Sequence, residues 1–377
     1  MNLNPEEMSR YARHLSLPEI GISGQKLLKE SAVLCIGTGG LGSPLLMYLA
    51  AAGVGRIGIV DYDLVEESNL QRQVIHGTSW IGKSKIDSSR SRILEINPYC
   101  LVETFNTLLT TDNAMDIIGQ FDIVCDCTDN FPSRYLINDS CYLLKKVLVY
   151  GSISQFEGQV SVFNLNENSP NYRDLVPEPP PIDLLPSCAE GGVMGVLPGL
   201  IGIIQATEVI KIITNIGSTL DGRVMVFNAL KMTFRELTLK KNQESVEITK
   251  LINYNIFCNQ STNDSDQGGP LIEHISIKML KNLIKNKYKK ICIVDVRTHA
   301  EFKTNSIHGS YCIPLKEIKE IKNIEFLKSI SNNQEIFIIC QSGFRSLNAI
   351  KILHKFNIQV KNIEGGMNAW NIEMSKP

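Results

Sequence analysis

Two loops of this chain carry residues whose types and spacing suit two different kinds of chemistry. The first, Gly37-Thr38-Gly39-Gly40-Leu41-Gly42, follows a short apolar run, and its glycines let backbone amides approach a nucleotide phosphate. The second, Cys340-Gln341-Ser342-Gly343-Phe344-Arg345, also follows an apolar run and surrounds a sulfur nucleophile. A chain with both loops is expected to activate an acyl group with a nucleotide and then deliver sulfur to it.

The glycine loop (residues 37–42) by itself has a simpler interpretation. Its three spaced glycines permit a tight turn between a buried strand and a helix predicted at residues 43–52, whose N-terminal amides face the anion. Asp61 ends the next strand, where an acidic residue meets a ribose. On these features alone, a nicotinamide-dependent dehydrogenase is the default.

Charged residues after later strands favour another reaction. Arg72, within Ser68-Asn69-Leu70-Gln71-Arg72-Gln73, and Lys85 supply cations, and Asp129 supplies a carboxylate for Mg²⁺. This set suits attack on the α-phosphate of a nucleoside triphosphate with pyrophosphate leaving, whereas hydride transfer needs none of it. Each residue also has a structural alternative, because Arg72 and Lys85 could be surface charges and Asp129 could cap the helix after Asn130.

These loops need a scaffold, and the sequence predicts two α/β patterns. Between about residues 31 and 234, apolar runs alternate with helical stretches, which predicts βαβ units and a Rossmann-like, largely parallel sheet. Polar, breaker-rich residues 259–270 predict a linker, and a smaller α/β pattern follows it. The predicted domains are therefore residues 1–258 and 271–377. Strands are expected at residues 32–37, 56–61, 121–127, 147–153, 159–164, 290–294 and 335–340.

Composition excludes several classes of protein. The net charge of -1 over 377 residues gives no field for nucleic acid, although residues 271–377 alone carry 17 Lys and Arg against 9 Asp and Glu. No apolar run is judged to reach the roughly 18 residues of a membrane span, so no membrane partner is expected. The N-terminal residues have no secretory or transit pattern, and ten irregularly spaced cysteines indicate reduced thiols. A cytoplasmic or plastid-stroma location is expected.

The motifs of the first domain together resemble the ThiF/MoeB family of ubiquitin-activating-type adenylyltransferases. The likeness runs over about residues 8–239 and includes Arg10-Tyr11-Ala12-Arg13-His14 and Ser187-Cys188-Ala189-Glu190-Gly191-Gly192. It implies ATP as substrate, Mg²⁺ held by Asp129, a homodimer in which Arg13 reaches the partner's ATP, and adenylation of the C-terminal glycine of a ubiquitin-like sulfur carrier. It also implies an ATP site lined by Gly40, Asp61, Asn69, Arg72, Lys85, Asp129 and Asn130, beside Gly37, Gly39, Gly42, Ser68, Leu70 and Gln71.

Two further positions matter to this resemblance. Cys188 follows a proline-rich segment and could be an inert cysteine in a loop. Resemblance to fused family members implies instead that it forms an acyl thioester or a disulfide with the carrier. Most relatives bind structural zinc through two Cys-x-x-Cys pairs. At the position of the first pair this chain has Asn171-Tyr172-Arg173-Asp174, and after Leu239, where the second is expected, it has no such pair. Since one leftover thiol, Cys258, does not make a zinc site, we expect zinc to be absent and packing to replace it.

The second domain resembles a rhodanese domain over about residues 272–370. The likeness rests on Asp295-Val296-Arg297, Glu301-Phe302, Ile307-His308-Gly309-Ser310, Ile313-Pro314 and Gly365-Gly366-Met367-Asn368-Ala369-Trp370. A cysteine after a strand is usually structural, but Cys340 precedes a helix predicted from about Ser346, and Arg345 lies near it, so a nucleophilic thiolate is expected. The six-residue loop fits a persulfide, while Asp295, Arg297 and His308 are expected to be structural.

The sequence thus predicts a fused adenylyltransferase and sulfurtransferase, similar to the molybdopterin-synthase sulfurylases. ATP and a carrier ending in Gly-Gly give an acyl-adenylate, and a Cys340 persulfide, loaded by a donor such as a cysteine desulfurase, converts it to a thiocarboxylate. Two alternatives stay open: an enzyme whose Cys188 thioester feeds protein conjugation, with the rhodanese domain as a docking module, and a nicotinamide-linked oxidoreductase. Molybdopterin, thiamine and tRNA all remain possible destinations of the sulfur.

Overall fold

The computed structural model describes residues 2–180, 192–242, 247–260, 272–286, 291–331, 333–341 and 343–374. The chain forms two compact units, Met1–Asp264 and Ser265–Pro377. In each unit, buried apolar side chains form two clusters, one on each face of a single β-sheet. Both units are therefore three-layer α/β structures, and each is described by itself.

The sheet of the first unit has eight strands in the order β3-β2-β1-β4-β5-β6-β7-β8. Strands β1 to β5 pair in parallel, and β6, β7 and β8 extend the sheet in antiparallel fashion. Because the carboxyl ends of β1, β2 and β4 meet at one edge, their loops lie together. The strands are β1 (Ala32–Ile36), β2 (Arg56–Asp61), β3 (Leu101–Asn106), β4 (Ile123–Asp126), β5 (Val147–Ser154), β6 (Glu157–Phe163), β7 (Arg223–Asn228) and β8 (Thr233–Thr238).

The helices of the first unit begin and end where capping residues allow. Helix α4 ends at Gly53, whose φ of 88° provides the left-handed C-cap that glycine adopts without strain. Helix α7 begins after Asn130, whose side chain accepts a hydrogen bond from the Ser133 amide at 3.0 Å. The helices are α1 (Pro5–Arg10), α2 (Ala12–Leu15), α3 (Gly21–Glu30), α4 (Gly42–Ala52), α5 (Lys85–Ile96), α6 (Ala114–Gly119), α7 (Phe131–Leu144), α8 (Tyr172–Leu175), α9 (Val196–Thr214) and α10 (Tyr254–Gln260).

Helix α9 corrects one expectation from the sequence. Its 19 residues make it long and apolar enough, by length and composition, to cross a membrane, although no such run was expected. Its inner face, which includes Leu197, Ile201 and Val209, belongs to the buried core of the unit. Its buried Glu208 accepts a hydrogen bond from the Leu220 amide at 2.7 Å. These contacts are those of a helix packed within a folded domain, where a polar group is tolerated because it is hydrogen-bonded.

The second unit has a five-stranded, all-parallel sheet in the order β11-β10-β12-β13-β9. Its apolar strands β10 and β12 are central, as expected for strands covered on both faces. The strands are β9 (His274–Ile275), β10 (Ile291–Asp295), β11 (Tyr311–Cys312), β12 (Glu335–Ile339) and β13 (Lys361–Ile363), and the helices are α11 (Ile277–Asn286), α12 (His299–Thr304), α13 (Ile321–Ser331), α14 (Phe344–His354) and α15 (Gly366–Met374).

The predicted fold class is confirmed, and the structure differs from the prediction at the ends of several elements and in the number of strands. The strand expected at residues 121–127 spans only Ile123–Asp126, and the helix expected near Ser346 begins at Phe344. Helix α10 extends to Gln260, so the first two residues of the predicted linker are helical. Strands β3, β7, β8, β9, β11 and β13 were not anticipated. Most of them are short or mixed in polarity and lie towards the sheet edges, where periodicity is weak.

The segment where the family resemblance implies a zinc-binding pair in other members contributes to an ion-pair cluster in this chain. Arg173 donates from Nε and Nη2 to the Asp139 carboxylate at 2.9 and 2.7 Å, and the Tyr254 hydroxyl donates to it at 2.8 Å. The Arg173 guanidinium also lies 5.1 Å from the ring centroid of Tyr135. Within the described parts of the chain, no group of three or more His, Cys, Asp and Glu is placed to hold a metal ion. The cluster joins α7, α8 and α10.

Candidate active sites

The glycine loop has the geometry of a phosphate cradle. Gly37 has a φ of 94°, and a Cβ there would lie 2.8 Å from the Cys127 carbonyl oxygen, so only glycine fits. A Cβ at Gly42 would overlap the Gly37 carbonyl oxygen, and one at Gly40 would lie 2.9 Å from Pro198. Tight packing behind the loop therefore leaves its open side facing a cleft at the carboxyl ends of β1, β2 and β4.

Thr38 is fixed in the middle of this loop by two buried side chains. Its amide and its hydroxyl both donate to one Asp61 carboxylate oxygen at 2.8 Å. Its carbonyl lies 3.1 Å from His76 Nε2, which must carry the proton because a carbonyl only accepts, and Nδ1 lies 3.0 Å from the Ser88 hydroxyl. Burial lowers the pKa of His76 to about 4, so the ring is neutral at neutral pH. His76 was missed from the sequence, since a lone histidine carries no motif.

Charged side chains of both signs line the cleft beside the loop. Arg72 donates from Nη1 to the Ser68 carbonyl at 3.1 Å, and no described carboxylate pairs with it. Lys85, buried, donates to Asp63 at 2.8 Å, so its ammonium is held at the cleft by a neighbouring carboxylate. Asp61 also lines the cleft, but one carboxylate oxygen is committed to Thr38 and the other accepts from the Asp63 amide. Asp61 thus positions the loop in addition to facing the cleft.

The sequence left open whether Asp129 caps the next helix or faces the cleft, and the structure assigns the cap to Asn130. Asn130, not Asp129, is the cap of α7, so the capping alternative for Asp129 is wrong. The exposed Asp129 carboxylate lines the cleft and makes no hydrogen bond to any described residue. A free carboxylate beside the phosphate loop has the oxygen ligands that Mg²⁺ prefers, and Asp129 is the residue that fits such an ion.

Two buried ionisable side chains, Asp126 and Arg134, were also missed from the sequence. Asp126, 1 % exposed, accepts hydrogen bonds from the Thr128 amide and hydroxyl at 2.9 and 2.7 Å, and burial raises its pKa. Arg134 lines the cleft and donates to the Thr128 carbonyl at 3.3 Å. The spacing of Asp126 and Arg134 would have indicated little by itself, because both belong to ordinary strand and helix patterns.

The remaining predicted site residues lie elsewhere. Arg13 is exposed on α2 and does not line this cleft. Asn69 is buried, and its side chain accepts from the Glu66 amide at 3.2 Å, which shapes the turn before Arg72. Cys188 lies outside the described residues. The cleft is lined by Gly37, Gly39, Gly40, Asp61, Arg72, Lys85, Asp129 and Asn130, whereas Gly42, Ser68, Asn69, Leu70 and Gln71 stand behind or beside it.

The cysteine loop (residues 340–345) joins β12 to α14, and Ser342 within it lies outside the described residues. The Gly343 amide donates to Cys340 Sγ at 3.1 Å, and the Ser346 hydroxyl lies 3.5 Å from it. Gly343 has a φ of 101°, a left-handed conformation suited to glycine that turns its amide towards the sulfur. Cys340 is only 1 % exposed, so its thiol is enclosed by the loop.

The charged residues around the cysteine loop are bound to one another. Arg345 donates two hydrogen bonds to the Glu301 carboxylate, at 2.9 and 2.7 Å. Burial alone would raise the pKa of Glu301, but the hydrogen bonds from Arg345 and Thr298 lower it to about 2. Arg297 makes a similar pair with buried Asp295 and donates to Gln341 at 3.0 Å. Arg345 thus ties the loop to α12, and the pair of Asp295 and Arg297 supports it from β10.

Comparisons with protein families match both units. The family model described as the ThiF family matches residues 11–248, and the one described as a rhodanese-like domain matches residues 276–373. The first covers more than half of the chain, and its matched residues include the whole glycine loop and the cleft. The second covers the cysteine loop.

Individual relatives extend over the full length. The chain is 43% identical over 378 residues to a protein of Mycobacterium tuberculosis named probable adenylyltransferase/sulfurtransferase MoeZ, covering 99% of this chain and 95% of the relative. It is 40% identical to a protein of Culex quinquefasciatus named adenylyltransferase and sulfurtransferase MOCS3, covering 99% and 89%. It is 41% identical to a protein of Porphyra purpurea named probable molybdopterin-synthase adenylyltransferase, covering 97% and 93%.

Solved structures share the fold at lower identity. The structure of E. coli MccB with MccA-N7isoASN superposes with a TM-score of 0.56 at 16% identity, covering 68% of this chain and 76% of that one. The structure of PaaA superposes with a TM-score of 0.55 at 23% identity, covering 64% and 76%. These two likenesses bear on the fold alone.

Proposed function

The chain belongs to the ThiF family and carries a rhodanese-like domain, and on that premise we propose that it adenylates the C-terminal glycine of a ubiquitin-like carrier and then converts it to a thiocarboxylate. Its relatives are named adenylyltransferases and sulfurtransferases, and it is an enzyme of both kinds. The carrier, the thiocarboxylate product and the sulfur donor are parts of the proposal. One relative's name supports molybdopterin synthase as a destination of the sulfur.

The observation that carries the proposal is the composition of the cleft. The glycine loop provides backbone amides, Arg72 and Lys85 provide positive charge, and Asp129 provides a carboxylate free of described partners. Pyrophosphate release from ATP spreads negative charge over the phosphates in the transition state, and fixed cations stabilise that charge. A dehydrogenase would gain nothing from these groups, so the nicotinamide alternative is set aside.

The first step joins the carrier to AMP. A carboxylate oxygen of the terminal glycine attacks the α-phosphorus of ATP, and the bond to pyrophosphate breaks. In this proposal Arg72, which lines the cleft, binds phosphate oxygens, and the glycine loop holds the phosphate chain through its amides. Asp129 would hold Mg²⁺, which when bound supplies further charge compensation at the phosphates.

The second step uses the cysteine loop. A Cys340 persulfide, formed by a donor such as a cysteine desulfurase, attacks the glycine carbonyl and displaces AMP. A thiol then attacks Cys340 Sγ, which releases the carrier thiocarboxylate and leaves a disulfide for reduction; Cys188 is the candidate for that thiol. The Gly343 amide, 3.1 Å from Cys340 Sγ, supports a nucleophilic role for this cysteine, because an N–H donor stabilises a sulfur anion.

The carrier needs a surface next to the cleft, and exposed apolar residues at the antiparallel end of the sheet offer one. We name Phe156, Leu230, Met232 and Phe234 the carrier patch; they are 41%, 69%, 74% and 57% exposed. The turn that bears Phe156 is joined to the turn that follows β7, because the Ala229 amide donates a hydrogen bond to the Phe156 carbonyl at 2.8 Å. Strand β5 runs from this turn back to Ile153, which lines the cleft, so an extended glycine tail could follow it.

A homodimer is part of the proposal. Helix α9 buries one face, whereas Val196, 69% exposed, and Ile203, 36% exposed, lie on the other with the partly exposed Leu200. An apolar face on an otherwise well-packed helix favours association. Arg13, exposed and away from its own cleft, is free to reach the cleft of a second copy. Sedimentation at micromolar concentration tests this, and an active monomer would contradict it.

Isotope exchange between pyrophosphate and ATP tests the adenylation step. Exchange should require a carrier that ends in Gly-Gly and should be absent with a carrier lacking its last glycine. Mass spectrometry of the carrier after addition of a persulfide donor tests the second step, because a thiocarboxylate differs in mass from the carboxylate. Exchange without any thiocarboxylate would instead support the conjugation enzyme with a docking module.

A further inference from the structure

A second cysteine of the rhodanese-like unit lies in a cluster that the proposed reaction does not use. Cys312, partly exposed at the end of β11, has its Sγ 3.3 Å from Nδ1 of His299. The other ring nitrogen of His299, Nε2, lies 3.2 Å from the Glu317 carboxylate. A thiol, an imidazole and a carboxylate in series form the arrangement by which enzymes activate a weak nucleophile.

The backbone of the unit brings these three residues together. Strand β11 pairs in parallel with β10, so that Cys312 lies beside Asp295 at the carboxyl edge of the sheet. His299 opens α12, which Thr298 caps by accepting the Glu301 amide at 3.3 Å. Glu317 follows in a short helical turn held by the bond from the Leu315 amide to the Val296 carbonyl at 3.0 Å. The positions are therefore set by the fold, although the His299 side chain itself is 61% exposed.

The surroundings of Cys312 keep its thiol protonated, so a base must take the proton before the sulfur can act as a nucleophile. Burial raises the pKa of its thiol, and the nearby carboxylates of Asp295, Glu317 and Glu301 raise it further, while Arg297 opposes them. The thiol is thus protonated at neutral pH and needs a group that takes the proton as sulfur attacks. His299 is in contact with the sulfur, and Glu317 is in position to orient the ring and to stabilise the imidazolium that forms.

We propose that Cys312, His299 and Glu317 form a second sulfur-accepting site, which takes a sulfane sulfur from a low-molecular-weight persulfide. Cys312 Sγ attacks the outer sulfur of the donor, a new S–S bond forms, and the S–S bond of the donor breaks. His299 takes the thiol proton and returns it to the departing thiolate. The products are a Cys312 persulfide and the donor thiol, and no oxidant or reductant is consumed.

This site is separate from Cys340. Cys340 is 1 % exposed within its loop on β12, whereas Cys312 lies on β11, with β10 between the two strands. A small donor can reach the partly exposed thiol without opening the cysteine loop. The proposal therefore stands whether or not Cys340 delivers sulfur to a carrier.

The test uses the full chain with Cys340→Ser, exposed to glutathione persulfide, alkylated and mapped by peptide mass spectrometry. The peptide that contains Cys312 should gain one sulfur atom, and the peptide that contains buried Cys292 should not. Adding His299→Gln should slow the gain about 10²-fold, the lower end of what a positioned base contributes, whereas His308→Gln, at an exposed site away from the cluster, should not.

The pH profile separates a base from a structural support. In the Cys340→Ser chain, log rate against pH should bend where the imidazole loses its proton, and His299→Gln should lose that bend. Glu317→Gln should slow the gain less than His299→Gln does, because Glu317 orients the ring and does not itself take the thiol proton. An unmodified Cys312, or equal rates in the His299→Gln and His308→Gln chains, would overturn the proposal.

Discussion

At the scale of single residues, the side chains around the glycine loop fall into two sets, those proposed to bind ATP and Mg²⁺ and those that hold the loop. Asp129 has no described partner, while Asp61 and His76 are committed to Thr38. Substitutions in the two sets should therefore have different consequences. Changes at Asp129 should remove catalysis and keep the fold, whereas changes beneath the loop should alter stability as well.

Replacing Asp129 by asparagine should abolish carrier-dependent pyrophosphate exchange. The variant keeps the size of the side chain but loses the charge, so a loss of roughly 10²–10³-fold or more is expected. Asp112→Asn, at an exposed site outside the cleft, is the matched control and should retain activity. Thermal unfolding of both should resemble that of the parent, and normal exchange by Asp129→Asn would show that the carboxylate has been misassigned.

His76 should make the stability of the first unit depend on pH. Its pKa is about 4 when folded against 6.5 unperturbed, so the unfolded chain binds more protons between these values. The stabilisation is complete above about pH 6.5 and falls by roughly 2–3 kcal/mol as pH drops towards 4. His76→Gln should flatten this part of the profile of unfolding free energy, measured by urea titration, relative to His308→Gln. Identical profiles would contradict the assignment.

At the scale of elements, the ion-pair cluster of Asp139, Arg173 and Tyr254 joins three helices. Asp139 is 1 % exposed, and the hydrogen bonds described for its carboxylate come from α8, from α10 and from its neighbour Asn138. A buried carboxylate without its partner destabilises the folded state, so loss of one member of the cluster should lower the free energy of unfolding by more than loss of an exposed ion pair does. It lies where relatives with zinc would carry one Cys-x-x-Cys pair.

Arg173→Met should destabilise the first unit by about 3–5 kcal/mol, since it leaves the Asp139 charge buried without its guanidinium. The matched control is Arg92→Met, which removes an exposed pair with Glu95 at 3.1 Å and should cost less than about 1 kcal/mol. Unfolding by urea measures both. A strong chelator should leave the parent's unfolding curve unchanged, and a shift on chelation would mean that the protein holds a structural metal after all.

Much of the fold could be predicted from the sequence because its central strands are apolar and its loops carry motifs. The run at residues 32–36 and the glycines after it specified the strand, the turn and α4. The edges were harder: β8 is exposed throughout, and its mixed polarity says little about which strand it pairs with. His299, Cys312 and Glu317 come together only through the pairing of β10 with β11, which sequence spacing does not reveal.

At the scale of the whole molecule, the two reactions should be separable by single substitutions. Cys340→Ala should abolish thiocarboxylate formation and leave pyrophosphate exchange unchanged, since the adenylation step uses no sulfur nucleophile. Cys188→Ala should also spare exchange and reduce only sulfur transfer. Mass spectrometry of the carrier after incubation with ATP and a sulfur donor decides. Normal thiocarboxylate formation by Cys340→Ala would leave the rhodanese-like unit as a docking module.

The carrier patch should affect recognition rather than chemistry. Met232→Glu, at a side chain 74% exposed, should raise the carrier concentration needed for half-maximal exchange about tenfold or more, because a charge replaces an apolar contact. The maximal rate should change little. Ile321→Glu, at a side chain 76% exposed in the other unit, is the matched control and should behave like the parent. Equal effects of the two would exclude the patch as the carrier's docking surface.

The three bonds that hold Thr38 also bear on the entropy of nucleotide binding. Its amide, hydroxyl and carbonyl are all bonded to Asp61 or His76, so the centre of the loop is ordered before any phosphate arrives. The conformational entropy of that segment is lost during folding, so ATP binding does not reduce it further. A variant that loosens either anchor should therefore bind ATP more weakly, with a more unfavourable binding entropy, although all three bonds join groups of the protein to one another.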